Sequence, residues 1–265
     1  MERLVVHIEG IGWWSPGATD WNQAAAWLRD GAAQPATVDT KPAAGVLPPQ
    51  ERRRAPEPVL LACEVAAQAC AMAARDPATL PSVFSSVHGD LAITDALCTT
   101  LAAEPLQLSP TRFHNSVHNA PAGYWTIAVQ CRAASSAVSA WHGSFAAGLF
   151  EAAMQAIADD TPILFVAYDI ATRGPLAEVA YGAAPFAAAL ALNPQASVRT
   201  LATLRLGHVA APARADSDAG PQAPFALATP LANALPLFAM LARSQNGIVH
   251  LPNAASTSLD IEVRT

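Results

Sequence analysis

The sequence has few charged residues and almost no lysine. Charged side chains make up 14% of its 265 residues, Lys41 is the only lysine, and the formal net charge is −6. Nucleic acid is therefore not expected as a partner, because binding it depends on many basic contacts to phosphates. The one basic cluster, Arg52 to Arg54, is interpreted either as a solvated loop or as a docking point for an acidic partner, since adjacent guanidinium groups bind carboxylates and phosphates well.

Cysteines and long apolar runs are also scarce. The four cysteines, Cys63, Cys70, Cys98 and Cys131, form no CxxC pair, and we expect mostly buried, reduced thiols. The longest apolar run, near residues 183–192, is shorter than the ~20 residues that a membrane-spanning helix needs. The amino terminus enters a strand without a signal-like segment. These features predict a cytoplasmic protein.

Apolar residues make up 52% of the chain, and short apolar strands alternate with helical stretches. A continuous apolar run such as 163–167 is typical of a strand covered on both faces. The order of the elements predicts an α/β fold with a layered sheet. The first strand is predicted over Leu4 to Ile8, ending at a turn made by Gly10 to Gly12, and a strong helix is predicted from about Pro58 to Arg75.

The stretch SSAVSAWHGSFAAGLFEAA, residues 135–153, predicts a buried strand over 137–140, a tight turn at 141–143 and an apolar helix. Such a turn is where nucleophilic enzymes expose a reactive side chain at a helix N-terminus. We expect His142 at the exposed position. Ser139 and Ser144 are interpreted as small packing residues.

The stretch SPTRFHNSVHNAPAGYWTIAVQ, residues 109–130, has the most unusual composition in the chain. The HxxxH spacing of His114 and His118 would suit a metal ion only on a helix, whereas Ser109-Pro110 and Asn119 favour a loop. We predict a hydrogen-bonded loop at an interface, followed by a helix that begins near Pro121. No metal site is predicted.

Several stretches resemble the amino-terminal half of a β-ketoacyl synthase, the condensing enzyme of fatty-acid and polyketide assembly. VHIEGIGWWSPG resembles that family's first strand and glycine turn, and SVFSSVHGD resembles its second strand. LSPTRFHNSVHNAPAGYWTIA is closely similar to its dimer-interface region, AVSAWHGSFAAGLFEA to its nucleophile turn and buried helix, and ILFVAYD to the next strand. The resemblance implies a thiolase-like fold. Residues 1–192 would form its amino-terminal, layered α-β-α half, and residues 193–265 a truncated carboxy-terminal half, a short extension packed on the same core.

Two departures from that family bear on activity. The resemblance places His142 where the family has its acyl-accepting cysteine, and an imidazole cannot hold a stable thioester because acyl-imidazoles hydrolyse readily. The family's two histidines and lysine of the carboxy-terminal half have no counterpart in residues 193–265, where His208 and His250 are interpreted as strand residues. The resemblance therefore implies a subunit without catalytic residues and without a cofactor.

The closest resemblance in pattern is to chain-length-factor subunits of type II polyketide synthases, including those of aryl-polyene and xanthomonadin-type pigment systems. It implies a heterodimer with a complete ketosynthase, which supplies the catalytic residues. An acyl carrier protein would bind through that ketosynthase. The interface and tunnel residues predicted from this resemblance are Thr111, Phe113, His114, Asn115, Ser116, Val117, His118 and Asn119.

The sequence allows more than one role for Phe113, for His142 and for the whole chain. Phe113 is a gate for the partner's tunnel or an ordinary packing residue. His142 is a structural plug or a base that assists decarboxylation of a malonyl group. The whole chain is a chain-length-factor-like subunit, a stand-alone acyl-thioester hydrolase or acyltransferase that uses His142 with Ser144, or a homodimeric acyl-binding scaffold. The subunit interpretation predicts poor solubility of the chain alone, because a large apolar interface would be exposed.

Overall fold

A computed structural model describes residues 3–30, 41–172, 174–178, 182, 184–210, 229–253 and 257–265. The strands in these ranges are β1 (Leu4–Trp14), β2 (Ser82–Ser85), β3 (Ser135–Val138), β4 (Ile163–Asp169), β5 (Phe186–Asn193), β6 (Ala202–Ala210), β7 (Gly247–Pro252) and β8 (Thr257–Arg264). The helices are α1 (Trp21–Asp30), α2 (Pro49–Arg54), α3 (Glu57–Met72), α4 (Leu91–Ala103), α5 (Pro110–Asn115), α6 (Ala120–Ala128), α7 (Ser144–Ala158) and α8 (Leu235–Ala242).

All of these strands belong to one mixed sheet in the order β3-β2-β4-β5-β1-β6-β8-β7. Strands β3, β2 and β4 are parallel, and the remaining neighbours are antiparallel. One core lies between one face of the sheet and α1, α7 and α8, and a second core lies between the other face and α3 and α6. The predicted α/β fold with α-β-α layers is confirmed. Strands β6, β7 and β8 continue the same sheet, and the division at residue 192 stays a prediction.

The first strand is longer than predicted, because the glycines of β1 do not form a turn. A side-chain carbon at Gly12 would overlap with the Val65 carbonyl group, and one at Gly10 would overlap with the Ala69 carbonyl oxygen. The two glycines let α3 lie directly on β1, so the strand continues to Trp14 with one bulge between Ile8 and Gly10. The predicted end at Ile8 is therefore wrong.

The strand before the 141–143 turn is also not buried as predicted. Strand β3 covers residues 135–138, and its residues are exposed or half-buried. Among the described strands it pairs only with β2, since it stands at the end of the sheet. By contrast β4, predicted as a continuous buried strand, is buried along its whole length.

Two predicted loops are partly helical. Pro110 begins helix α5, where proline is well tolerated, and the Ser109 hydroxyl accepts a hydrogen bond from the Arg112 amide. The loop prediction is wrong for residues 110–115, whereas α6 begins at Ala120, close to the predicted Pro121. The cluster Arg52 to Arg54 forms the exposed last turn of α2 and not a loop.

Candidate functional site

The turn between β3 and α7 has one strained residue. Residues 141–143 form a single 3₁₀ turn, and Trp141 has a φ of 52°, which is uncommon for a bulky side chain. A strained backbone at a strand-to-helix turn is typical of positions that expose a nucleophile. The structure therefore places Trp141 at the apex of this turn, one residue before His142, and both side chains are exposed. The assignment of His142 to the vacant cysteine position stays a prediction.

The serines at the turn bind its backbone. The buried Ser144 hydroxyl donates to the Trp141 carbonyl oxygen at 2.7 Å and accepts from the Ala140 amide at 3.0 Å. The Ser139 hydroxyl donates to the Val87 carbonyl oxygen at 2.9 Å. Neither hydroxyl donates to His142, so the turn contains no serine–histidine dyad.

Three histidines surround the turn. The Trp141 ring packs edge-on against His88 and His142, with ring centroids 4.9 and 5.3 Å apart. The His118 ring lies 3.0 Å, through its Nε2, from the Ser86 carbonyl oxygen. Burial lowers the pKa of His88, and the nearby rings of His142 and His118 lower it further. The His88 imidazole is therefore neutral at physiological pH.

None of the four cysteines lies at the turn. Cys63, Cys70 and Cys131 are buried and Cys98 is exposed on α4. Burial raises the pKa of both Cys63 and Cys70 to about 12, so these thiols stay protonated and unreactive. The Cys131 thiol donates to the Leu80 carbonyl oxygen at 3.3 Å.

The structure divides the predicted interface residues into an exposed group and an inward-facing group. Phe113 is 60% exposed and Val117 is 46% exposed. Asn115 is buried and accepts a hydrogen bond from the Tyr124 hydroxyl at 3.1 Å. The exposed members are Thr111, Phe113, His114, Val117 and Asn119, and the half-buried or buried members are Asn115, Ser116 and His118.

Residues 91–141 include several exposed large apolar side chains. Helix α4 has an apolar sequence but no buried residue, and it packs beside α5. Strand β3, the end strand among those described, contacts α6. Exposed apolar patches and open strand edges mark interaction surfaces. We call this region the 91–141 surface; its exposed large apolar side chains are Leu101, Leu106, Phe113, Val117, Ile127 and Trp141.

His114 and His118 do not share a helix, because α5 ends at Asn115. In the described ranges, no three His, Cys, Asp or Glu side chains come together in a way that could hold a metal ion. The helices of these ranges include none that is long and apolar enough to cross a membrane.

Sequence reasoning did not single out Asp169 or His88. Asp169 ends the buried strand β4, and its Oδ1 accepts hydrogen bonds from the Ser86 hydroxyl at 2.8 Å and the Val87 amide at 3.0 Å. The position of Asp169 directly after the apolar run ILFVAY could have identified it from the sequence, because an ionisable side chain is rarely buried unless it has partners.

The sequence model of the family described as β-ketoacyl synthase, N-terminal domain, matches residues 19–252. The chain belongs to this family. The predicted resemblance is thus confirmed, and the matched range extends beyond residue 192, the predicted end of the amino-terminal half.

Solved structures with the same fold include multi-subunit synthases. The chain is 24% identical to a chain of the ketosynthase (ApeO) in complex with its chain length factor (ApeC) from Xenorhabdus doucetiae, with a TM-score of 0.73, covering 98% of this chain and 99% of that one. It is 15% identical to a chain of the ishigamide ketosynthase/chain length factor, with a TM-score of 0.70 and coverage of 98% and 99%. It is 11% identical to a chain of AntDE:AntF, a type II PKS acyl-carrier protein in complex with its ketosynthase bound to the hexaketide, with a TM-score of 0.77 and coverage of 99% of both chains. These likenesses confirm the thiolase-like ketosynthase fold. No curated protein sequence matches the chain significantly.

Proposed function

We propose that this chain is a non-catalytic, chain-length-factor-like subunit that pairs with an active ketosynthase and shapes its acyl tunnel in type II polyketide biosynthesis of the aryl-polyene kind. The observation that carries the proposal is the β3–α7 turn, which reads Ser-Ala-Trp-His-Gly-Ser from 139 to 144 and has no cysteine. A condensing enzyme needs a thiolate there to form its acyl thioester. Neither the indole of Trp141 nor the imidazole of His142 replaces it.

The likeness to solved complexes supports a subunit role. Two of the similar structures are described as a ketosynthase with a chain length factor, and in both the match covers nearly the full length of this chain and of the other. By analogy, the partner supplies the cysteine, histidines and lysine for condensation. An acyl carrier protein would then be met through that partner.

The 91–141 surface supports a protein partner. It exposes several large apolar side chains, and among the described strands β3 stands at the end of the sheet, where an edge strand offers backbone groups for pairing with another chain. Thr111, Phe113 and Val117 lie on this surface, so a partner seated there would bring its tunnel close to them. Phe113, a rigid exposed ring, is the residue we assign to the closing of that tunnel.

The competing hydrolase hypothesis receives no support from the turn. A serine nucleophile must be free to attack the substrate and must donate its proton to a base. The Ser144 hydroxyl is buried and donates to a backbone carbonyl group instead.

The test is co-expression with the ketosynthase encoded nearest to this gene, followed by size-exclusion chromatography and a condensation assay with malonyl-loaded carrier protein. We expect a one-to-one complex that is active only while the partner's cysteine is intact. His142→Ala should leave the condensation rate within about 2-fold, because loss of one surface ring removes no step of catalysis. Phe113→Ala should lengthen the products, while Val198→Ala, an exposed apolar residue outside the 91–141 surface, should not.

Other outcomes have clear meanings. A soluble monomer that turns over acyl thioesters alone would make the proposal wrong and His142 a catalytic candidate. A stable homodimer that ignores the ketosynthase would favour the acyl-binding scaffold.

A further inference from the structure

A small cavity lies between the segment that follows β2, the start of α4 and the end of β4. Its volume is about 10 Å³, which is the space that one water molecule needs and too little for an organic ligand. The residues that line it are His88, Gly89, Leu91, Asp169, Ile170 and Thr172.

Two of the lining side chains each have a buried polar atom without a hydrogen-bond partner in the described part of the chain. These atoms are Oδ2 of Asp169 and Nε2 of His88. Asp169 is almost completely buried, and its other oxygen, Oδ1, already accepts two hydrogen bonds. Buried polar atoms in proteins are nearly always paired with protein or with ordered water, because leaving them unpaired costs free energy.

The protonation of the two groups makes them complementary. Burial raises the pKa of Asp169 to about 7, although the hydrogen bonds from Ser86 and Val87 act in the opposite direction. Burial and two neighbouring histidines lower the pKa of His88. A protonated carboxyl group donates a hydrogen bond and a neutral imidazole nitrogen can accept one. One water molecule can satisfy both atoms.

We propose that this cavity is a binding site for a single water molecule held between Oδ2 of Asp169 and Nε2 of His88. The edge-on contact with Trp141 keeps the His88 ring in place. The water would tie the end of β4 to the segment that enters α4, whose first turn is capped by the Asp90 carboxylate. The site therefore fixes the start of the 91–141 surface, and it does not depend on the function proposed above.

Other titratable groups surround this site from several elements. Tyr168 precedes Asp169 on β4, and its hydroxyl donates to the His118 carbonyl oxygen. The His118 and His142 rings act on His88 from the loop before α6 and from the turn before α7. Asp90 lies between His88 and α4, and burial raises its pKa as well.

A high-resolution crystal structure of the full chain at pH 6 tests the proposal directly. We expect an electron-density peak about 2.7–3.2 Å from both Asp169 Oδ2 and His88 Nε2. No peak there, or a direct hydrogen bond between the two side chains, would overturn the proposal.

Urea unfolding between pH 4 and 8 gives a second readout. The pKa of Asp169 is higher in the folded protein than in the unfolded chain. Its contribution to the free energy of unfolding is therefore fully present at pH values below the ordinary aspartate pKa, declines as the pH rises, and levels off above about pH 7. We expect Asp169→Asn, whose side chain still donates a hydrogen bond, to remove this decline. The control Asp159→Asn, which replaces an exposed carboxylate at the end of α7, should keep it. An unchanged decline in Asp169→Asn would contradict the protonated site. If that variant does not fold, carbon NMR of the wild-type carboxyl group decides: titration near pH 7 supports the site and titration near pH 4 overturns it.

Discussion

At the scale of single residues, the buried side chain of Glu9, at the bulge of β1, lies in a polar network that joins three parts of the chain. Its Oε2 accepts a hydrogen bond from Arg75 Nε at 2.8 Å and forms an ion pair with Nη2 of the same guanidinium group at 2.7 Å. Its Oε1 accepts from Asn193 and Ser197 at 2.9 and 2.5 Å. Burial alone would raise the pKa of Glu9, but these hydrogen bonds and the Arg75 charge outweigh it and hold the pKa below its usual range.

Glu9→Gln should therefore destabilise the protein by about 2–3 kcal/mol, because Arg75 loses its charged partner in a buried network. The wild-type contribution is present above the ordinary glutamate pKa and is lost as the pH falls, so the difference between the two proteins should shrink towards acid pH. Urea unfolding at pH 7 and at pH 4 measures both effects. Glu262→Gln, which alters the exposed pair with Arg264, should change little. Equal losses in the two variants would contradict the buried network.

At the scale of elements, the contact between β1 and α3 depends on the absence of side chains in the strand. Gly12 leaves room for the Val65 carbonyl group, and the three atoms nearest to an added side-chain carbon are all backbone atoms of Val65. An added methyl group must therefore displace the helix from the strand.

Gly12→Ala should cost about 1–3 kcal/mol, the usual range for overpacking a core. The matched control is Gly123→Ala in α6, where a methyl group would meet nothing within 4 Å. Since alanine is the better helix former, this control should stabilise the protein by about 0.5–1 kcal/mol. Chemical unfolding of both variants gives the comparison. If Gly12→Ala is as stable as the wild type, α3 does not lie as close to β1 as described.

At the scale of the whole molecule, burial is distributed unevenly across the sheet. Strands β4 and β5 are buried at every residue, whereas β3 is exposed or half-buried at the sheet end. The helices, loops and turns between β2 and α7 carry the exposed large apolar side chains of the 91–141 surface.

Amide hydrogen exchange should follow this distribution. We expect β4 and β5 to exchange by global unfolding and β3 and α4 to exchange by local opening, because few buried contacts hold the latter. Adding the co-expressed ketosynthase should protect β3 and the 91–141 surface and leave β7 unchanged. Protection confined to β7 would place the partner on the opposite edge of the sheet.

Much of this molecule is determined by its sequence. Exposing apolar runs such as residues 163–169 to water is unfavourable, so these runs form buried strands. The alternation of strands with helices then favours a layered sheet. The missing cysteine at the β3–α7 turn is likewise visible in the sequence alone.

Tertiary structure decided what depends on neighbours distant in the sequence. The glycines of β1 predict a turn from the sequence alone, but in the structure they allow α3 to pack closely on the strand. The apolar sequence before the 141–143 turn predicts a buried strand, but β3 lies at the end of the sheet and is partly exposed. The left-handed backbone conformation of Trp141 arises from the geometry of the turn, and the residue types in this stretch do not predict it. The cavity between Asp169 and His88 exists only because β2 and β4 end side by side, which brings together residues 81 positions apart in the sequence.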